Sequence, residues 1–267
     1  MEDLRVTLVQ SDICWENAPE NLARFGRLLE RIPAGSTDLI LLPEMFNTGF
    51  SINPALCAET MDGPSVTFLR ETARKHQAAV MATLLIREGK VCVNRLICAH
   101  PGGRLEHGDK RHLFRLSEEF KIIKAGSEKL TVEINGWKIR PLVCYDLRFP
   151  VWAKNTWKEG VYEYDLLVYL ANWPASRMFV WDTLLTARAI ENQACLAAAN
   201  RIGIDGFGTG HTGGSVALDA KGQPLFRAPE NTESVQTVTF SAPSLRLFRD
   251  SFTVGMDWDS FTLQLKK

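Results

Sequence analysis

No stretch of this 267-residue chain approaches the roughly 18 consecutive apolar residues of a membrane-spanning helix, so no span is expected. The first residues, MEDLRVTLVQ, lack a basic region, an apolar core and a small-residue cleavage site, so no secretory leader is expected. The 31 basic and 31 acidic side chains cancel, and no Lys/Arg block stands out. Nothing therefore points to nucleic acid or an anionic membrane as partner. Five histidines, at 76, 100, 107, 112 and 211, include no pair at His-Glu-x-x-His spacing, so no metal is expected. His112 reads as a loop anchor. No Gly-x-Ser-x-Gly elbow occurs. The run Gly208-Thr209-Gly210-His211-Thr212-Gly213 has dinucleotide-site glycine spacing, but the segment after it, Gly214 to Asp219, reads as a strand where such a site needs a helix. Those glycines are better read as a tight surface turn, and no cofactor is expected. Linkers rich in Ser, Pro or Gly and short-period repeats are also missing, so residues 1–267 read as one domain.

The chain does have six cysteines, at 14, 57, 92, 98, 144 and 195. A core of this size does not need disulfides, so five of them read as reduced, packed thiols and the expected location is cytoplasmic. Strands are expected at about 4–10, 38–43, 78–86, 91–99, 130–134, 137–144, 165–171, 194–200, 214–219 and 234–240, and helices at about 19–31, 65–76, 150–159 and 178–192. Residues 110–127 read as loop, and Asn135-Gly136 as a hairpin turn. The alternation predicts a layered α/β or α+β fold. The tail, 241–267, holds Phe248, Phe252, Trp258 and Phe261 amid charge. It is expected either to cover its own domain or to form a subunit interface, where aromatics are favoured.

Three residues close apolar runs or punctuate loops in ways that suit chemistry. Cys144 ends the run Ile139-Arg140-Pro141-Leu142-Val143, Glu44 ends Asp38 to Pro43, and Lys110 lies inside Gly108 to Phe114. A thiol beside an ammonium can ionise below its usual pKa of about 8.5. A carboxylate can shuttle its proton, and the ammonium with a backbone N–H can hold an oxyanion. Cys144 is thus the candidate nucleophile, Glu44 the general acid/base and Lys110 the oxyanion holder of an amide-hydrolysing site that works through a thioester. The ordinary reading makes them a buried strand thiol, a helix cap and a loop charge.

The blocks Leu41-Leu42-Pro43-Glu44-Met45-Phe46, Lys110-Arg111-His112-Leu113-Phe114 and Leu142-Val143-Cys144-Tyr145-Asp146-Leu147-Arg148-Phe149-Pro150, in this order, resemble the Glu, Lys and Cys motifs of the nitrilase superfamily of carbon–nitrogen hydrolases. Asn200-Arg201-Ile202-Gly203 and Gly213-Gly214-Ser215 resemble later shared segments, and the resemblance covers about residues 4–240. It implies a four-layer α-β-β-α sandwich and a homodimer or higher even homo-oligomer. It also implies a second glutamate, Glu119 or alternatively Glu118, orienting Lys110 and the incoming substrate or water. KRHLFR, PLVCYDLRFPVW and ANWPASR resemble the omega-amidases in particular. That likeness implies deamidation of 2-oxoglutaramate and 2-oxosuccinamate. Such substrates carry an anionic 2-oxo acid end, for which Arg148, Arg177 and Arg115 are candidate partners, with Phe46, Phe120, Tyr145 and Trp173 as candidate walls. Arg148 could instead pair with Asp146. Two other readings stay open: an amidase or N-carbamoyl amide hydrolase of another substrate, and a catalytically weak dimeric scaffold.

Overall fold

Along the computed structural model, which describes residues 1–265, the first elements are β1 (Leu4–Gln10), α1 (Ala18–Leu29), β2 (Leu39–Leu41), α2 (Pro54–Cys57), α3 (Pro64–His76), β3 (Ala79–Glu88), β4 (Val91–Ala99) and β5 (Leu105–Asp109). Next come β6 (Val132–Ile134), β7 (Trp137–Val143), α4 (Pro150–Ala153), β8 (Trp157–Lys158), β9 (Val161–Tyr162), β10 (Leu166–Ala171), α5 (Met178–Asn192) and β11 (Cys195–Asn200). Strands β12 (Ile202–Ile204), β13 (Gly210–Thr212), β14 (Val216–Leu218), β15 (Pro224–Arg227) and β16 (Ser234–Phe240) precede α6 (Ala242–Ser251).

Two six-stranded sheets result, ordered β16-β1-β2-β3-β4-β5 and β15-β14-β11-β10-β7-β6. In the first, β1, β2 and β3 run parallel, and in the second β7, β10 and β11 do. Parallel strands buried on both faces need continuous apolar runs, and the sequence shows why. In β2 and the residue after it, Leu39 and Leu41 point between the sheets, whereas Ile40 and Leu42 point outward beneath Phe25 and Leu28 of α1 and Val66 and Leu69 of α3. On the second sheet Trp181, Leu185 and Ala189 of α5 join the central core. Each Val, Leu, Ile or Phe side chain among these, fully buried, contributes about 1.5–3 kcal/mol. The layers are thus α-β-β-α, the expected sandwich.

Two expectations need correction. The helix expected over 150–159 stops at Ala153, because Lys154 turns extended (ψ 124°) and the buried Asn155 gives its N–H to Asn192 Oδ1 at 2.7 Å. The hairpin β8–β9 comes next, its turn made by Glu159 (φ 51°) and Gly160 (φ 83°), a mirror-image turn of the kind hairpins favour. Short strands β5, β12, β13 and β15 lie where loops or no element had been expected, since each is only partly buried and shows no clean alternation. All six cysteines are free thiols. Among the described residues no helix is long and apolar enough to cross a membrane.

Residues 241–265 pack in part on their own chain. Leu245 of α6 is buried, Arg249 bonds Asp165 at 2.6 Å, and the Trp258 ring meets Tyr162 edge-on at 5.7 Å. Phe252, Met256 and Phe261 face outward. The last two positions of the 241–267 tail lie outside the described residues.

Candidate active site

Strand ends converge on one cavity of about 610 Å³. Glu44 lies just beyond β2, Lys110 directly after β5, Cys144 directly after β7 and Asn172 directly after β10. Three of these four come after parallel strands, and the crevice beyond the carboxyl ends of such strands is where α/β proteins place ligands. Glu44, Lys110 and Cys144, far apart in sequence, all line the cavity.

Its floor is a buried charge cluster. Lys110 Nζ donates to Glu44 Oε1 at 3.0 Å and to both Glu119 oxygens at 3.1 Å, and it sits 4.8 Å from the Phe50 ring centroid. Glu119 also accepts the Phe114 N–H at 2.6 Å. Asn94 Nδ2 donates to Glu44 Oε1 at 2.9 Å, and the Asn172 N–H to Glu44 Oε2 at 3.1 Å, while the Asn172 side-chain amide bonds the Glu44 carbonyl. Burial lowers the pKa of Lys110. Glu119, Glu44 and Cys144 more than offset that, and the ammonium is held well above its ordinary pKa. Burial pushes Glu119 upward against the pull of Lys110.

Cys144 opens a 3₁₀ turn, Cys144–Arg148, with φ at +41°, a conformation that a side chain rarely adopts. The turn is anchored by Asp146, which accepts the Val143 N–H at 3.1 Å and both the N–H and Nδ1 of His112, at 2.9 and 2.8 Å. His112 stacks on Phe149 at 3.7 Å, so it anchors the loop as expected. The thiol itself departs from expectation. Burial pushes the Cys144 pKa well above its ordinary value, the Glu44 carboxylate raises it further, and Lys110 only partly opposes them. Burial and the neighbouring Glu44 carboxylate thus favour the neutral thiol of Cys144 over its thiolate.

The remaining candidates divide cleanly. Arg148, Arg177, Tyr145 and Trp173 line the cavity. The Arg148 guanidinium lies 5.0 Å from the Trp173 ring centroid and that of Arg177 lies 5.3 Å from that of Phe114. Neither has a carboxylate within salt-bridge distance among the described residues, and Asp146 is committed to His112 rather than to Arg148. Phe46 is not a wall. Its ring is fully buried outside the cavity, 5.2 Å from Phe25 and 5.8 Å from Phe68 in the layer beneath α1 and α3. Arg115 and Phe120 are also outside, stacked on each other at 5.1 Å on the exposed face of the 115–121 loop. Of the two glutamates, Glu119 bonds Lys110, whereas Glu118 is an exposed residue at the rim paired with Lys121 at 2.5 Å. Asn94, Asn172, Phe50 and the segment Asp205–His211 were not anticipated as parts of the site. No group of three or more His, Cys, Asp or Glu among the described residues is arranged to hold a metal ion.

A model of the carbon–nitrogen hydrolase family matches residues 5–250. The chain is 40% identical over 263 residues to the omega-amidase YafV of Escherichia coli strain K12, covering 98% of this chain and 100% of that protein. It is 32% identical to the 2-oxoglutaramate amidase of Bacillus subtilis strain 168, over 82% of this chain and 84% of that protein. Among solved structures, a CN-hydrolase superfamily protein from Xanthomonas campestris with an arsenic adduct in its active site superposes with a TM-score of 0.96 at 43% identity, covering 99% of this chain and 100% of that one. A glutamate-to-glutamine variant of the amidase from Nesterenkonia sp. AN1, in which acrylamide has undergone Michael addition at the active-site cysteine, gives a TM-score of 0.79 at 25% identity, over 95% of this chain and 99% of that one.

Proposed function

The chain belongs to the carbon–nitrogen hydrolase family, and from that premise we propose that it is an omega-amidase, hydrolysing the terminal amide of 2-oxo dicarboxylic acid monoamides such as 2-oxoglutaramate and 2-oxosuccinamate. The observation that carries the substrate reading is the pair of guanidiniums, Arg148 and Arg177, which line the same cavity as Cys144 without a carboxylate of their own. Arginine binds carboxylate bidentately, and an unpaired cation beside a nucleophile fits a substrate that brings its own anion. The 40% identity to an omega-amidase along nearly the full chain supports the same reading.

The proposed chemistry starts from the thiol. As the Cys144 sulfur attacks the amide carbon, its proton passes to Glu44, the carboxylate that raises the thiol pKa and lines the same cavity. The carbonyl oxygen becomes an oxyanion, held by the Lys110 ammonium and the N–H of Tyr145. Glu44 then gives the proton to the leaving nitrogen, the C–N bond breaks, ammonia departs and a thioester remains. Glu44 next takes a proton from water as it attacks the thioester, and returns that proton to sulfur as the 2-oxo acid leaves. Glu119 orients Lys110 throughout. A thiol of raised pKa suits this cycle, since attack and proton transfer are coupled and no thiolate is stored.

Ammonia release from 2-oxoglutaramate, with glutamine, asparagine and a simple nitrile in parallel, tests the proposal. A kcat/KM for 2-oxoglutaramate at least about tenfold above the others is expected, roughly 1.4 kcal/mol of transition-state preference. Equal activity on all of them would move the assignment to another linear amide or an N-carbamoyl amide. For the assembly, outward-facing Phe179, Phe252, Met256 and Phe261 support a homodimer or higher even oligomer with the tail at its interface. Light scattering that gave a monomer mass at micromolar concentration would refute it.

A further inference from the structure

The glycine-rich run after β12 forms part of the cavity wall. From Asp205 to His211 the even positions, 206, 208 and 210, are all glycine, and all four remaining residues, Asp205, Phe207, Thr209 and His211, line the cavity. Gly206 and Gly208 resist any side chain, whereas Gly210 has room for one. A Cβ at Gly206 would meet Trp15 Nε1 at 2.3 Å, and Gly208 has φ +79°. Asp205 Oδ1 accepts the N–H of both Phe207 and Thr209 at 2.9 Å, and the Asp205 N–H bonds the Thr209 carbonyl at 3.0 Å. The Trp15 ring meets Phe207 edge-on at 5.1 Å. Phe207 is thus an aromatic ring on a stiff pedestal, yet it is 70% exposed, more than any other ring that lines the cavity. An exposed ring fixed in this way adds little to folding, and its apolar face is available to a ligand.

Resting on the omega-amidase reading, we infer that Phe207 is a specificity-determining residue, the apolar wall against the methylene segment between the scissile amide and the acid end. The substrate has three parts. Its amide meets Cys144, Glu44 and Lys110, its acid end meets arginine, and its CH₂ groups need an apolar surface, for which Phe207 is the most exposed ring of the cavity lining. Phe207 supplies that surface and thereby sets the preferred chain length.

The experiment uses the full-length enzyme and its Phe207→Ala and Phe207→Leu variants. Two series are assayed, 2-oxo acid monoamides of four, five and six carbons and unsubstituted linear amides of the same lengths. One methylene in an apolar pocket discriminates by roughly 10- to 200-fold, so the wild type should favour one length by at least about tenfold. Phe207→Ala should flatten that preference to within about threefold, mainly through KM, with Phe207→Leu intermediate. Iodoacetamide should still label Cys144 stoichiometrically in both variants. An unchanged length profile in Phe207→Ala overturns the inference, and an unchanged profile with lost subunit association would reassign Phe207 to an interface. Were the wild type active only on the unsubstituted amides, the 2-oxo acid reading would fail, while the length profile in that series would still decide the role of Phe207.

Discussion

The floor and the rim of the cavity are built on opposite principles. On the floor Glu44, Lys110 and Glu119 are fully buried and bonded to one another, and Asn94, Asn172 and the Phe114 N–H supply further partners. At the rim Arg148 and Arg177 stack on aromatic rings without a carboxylate, and Phe207 and Leu116 are 70% and 79% exposed. Buried charges must be satisfied by the protein itself, because nothing else will reach them. The half-buried arginines and exposed apolar groups of the rim hold their interactions in reserve for a ligand. The difference teaches that the bond-breaking chemistry is preorganised on the floor, while the choice of substrate is left to the rim. Changes on the floor should therefore damage turnover or folding, and changes at the rim should move selectivity.

The largest effect should come from the nucleophile. Cys144→Ala is expected to lower kcat by at least about 10⁴-fold without unfolding the chain, read by ammonia release and circular dichroism. Glu44→Gln should lower turnover by about 10³-fold or more, yet leave the sulfur open to alkylation. Since Glu44 raises the thiol pKa, its neutralisation should shift the pH midpoint of iodoacetamide labelling downward from the wild-type value. A midpoint that moved upward, or no labelling at all, would break the account of a carboxylate-held thiol.

Lys110 tests whether the floor is structural as well as catalytic. Lys110→Met leaves two buried carboxylates without their cation, which should cost about 3–5 kcal/mol in urea unfolding. Adding Glu119→Gln should recover part of that loss, a coupling expected only if the ion pair is real. At the rim, Arg148→Met should change stability by less than about 0.5 kcal/mol. Equal destabilisation at both places would erase the contrast.

His211, in the wall between floor and rim, gives a pH signature. Burial first, and Arg201 second, lower its pKa to about 4 from an ordinary 6.5, with Asp205 and the backbone of Thr209 and Gly203 opposing them. Below pH 6.5 the unfolded chain takes a proton that the folded chain refuses, so stability should fall as pH drops from 6.5 to about 4 and then level off. The full span is about 3 kcal/mol. His211→Gln should lose that part of the pH dependence, measured as urea midpoints at pH 7 and pH 4.5 relative to wild type.

Much of the site is legible in the sequence, for identifiable reasons. Glu44 and Cys144 stand just beyond apolar strands, and strand ends in α/β proteins are where ligands sit. The same signal exists for Asn172, directly after β10, and could have found it. Asn94 gives none, because it lies inside the apolar strand β4 and its polarity makes sense only once Glu44 lies across from it. Phe46 departs from expectation: its ring is buried in the layer beneath α1 and α3, next to Met45 with its positive φ of 45°. The glycines of Asp205–His211 mark a tight turn, but only the tertiary structure shows that its side chains line the cavity. Local patterns report strand ends and turns well. They do not report what another strand brings opposite.

The smallest and most selective effect should separate the two arginines. Removing a hydrogen bond to a charged group typically costs about 1.5–3 kcal/mol, or roughly 10- to 150-fold in kcat/KM. Whichever of Arg148→Met and Arg177→Met removes the carboxylate partner should lose that much on 2-oxoglutaramate, through KM, and almost nothing on an uncharged amide of equal length. The other variant should lose little on either. Arg148→Lys sharpens the comparison, because lysine keeps the charge but loses the bidentate fork. If Lys restores binding only slightly, the fork matters, and if it restores it fully, charge alone suffices. An equal loss on the uncharged amide would mean that the guanidiniums serve the stacks on Trp173 and Phe114, shaping the wall rather than meeting an anion. In that case the unpaired cations would no longer argue for an acidic substrate, and the rim would select by shape alone.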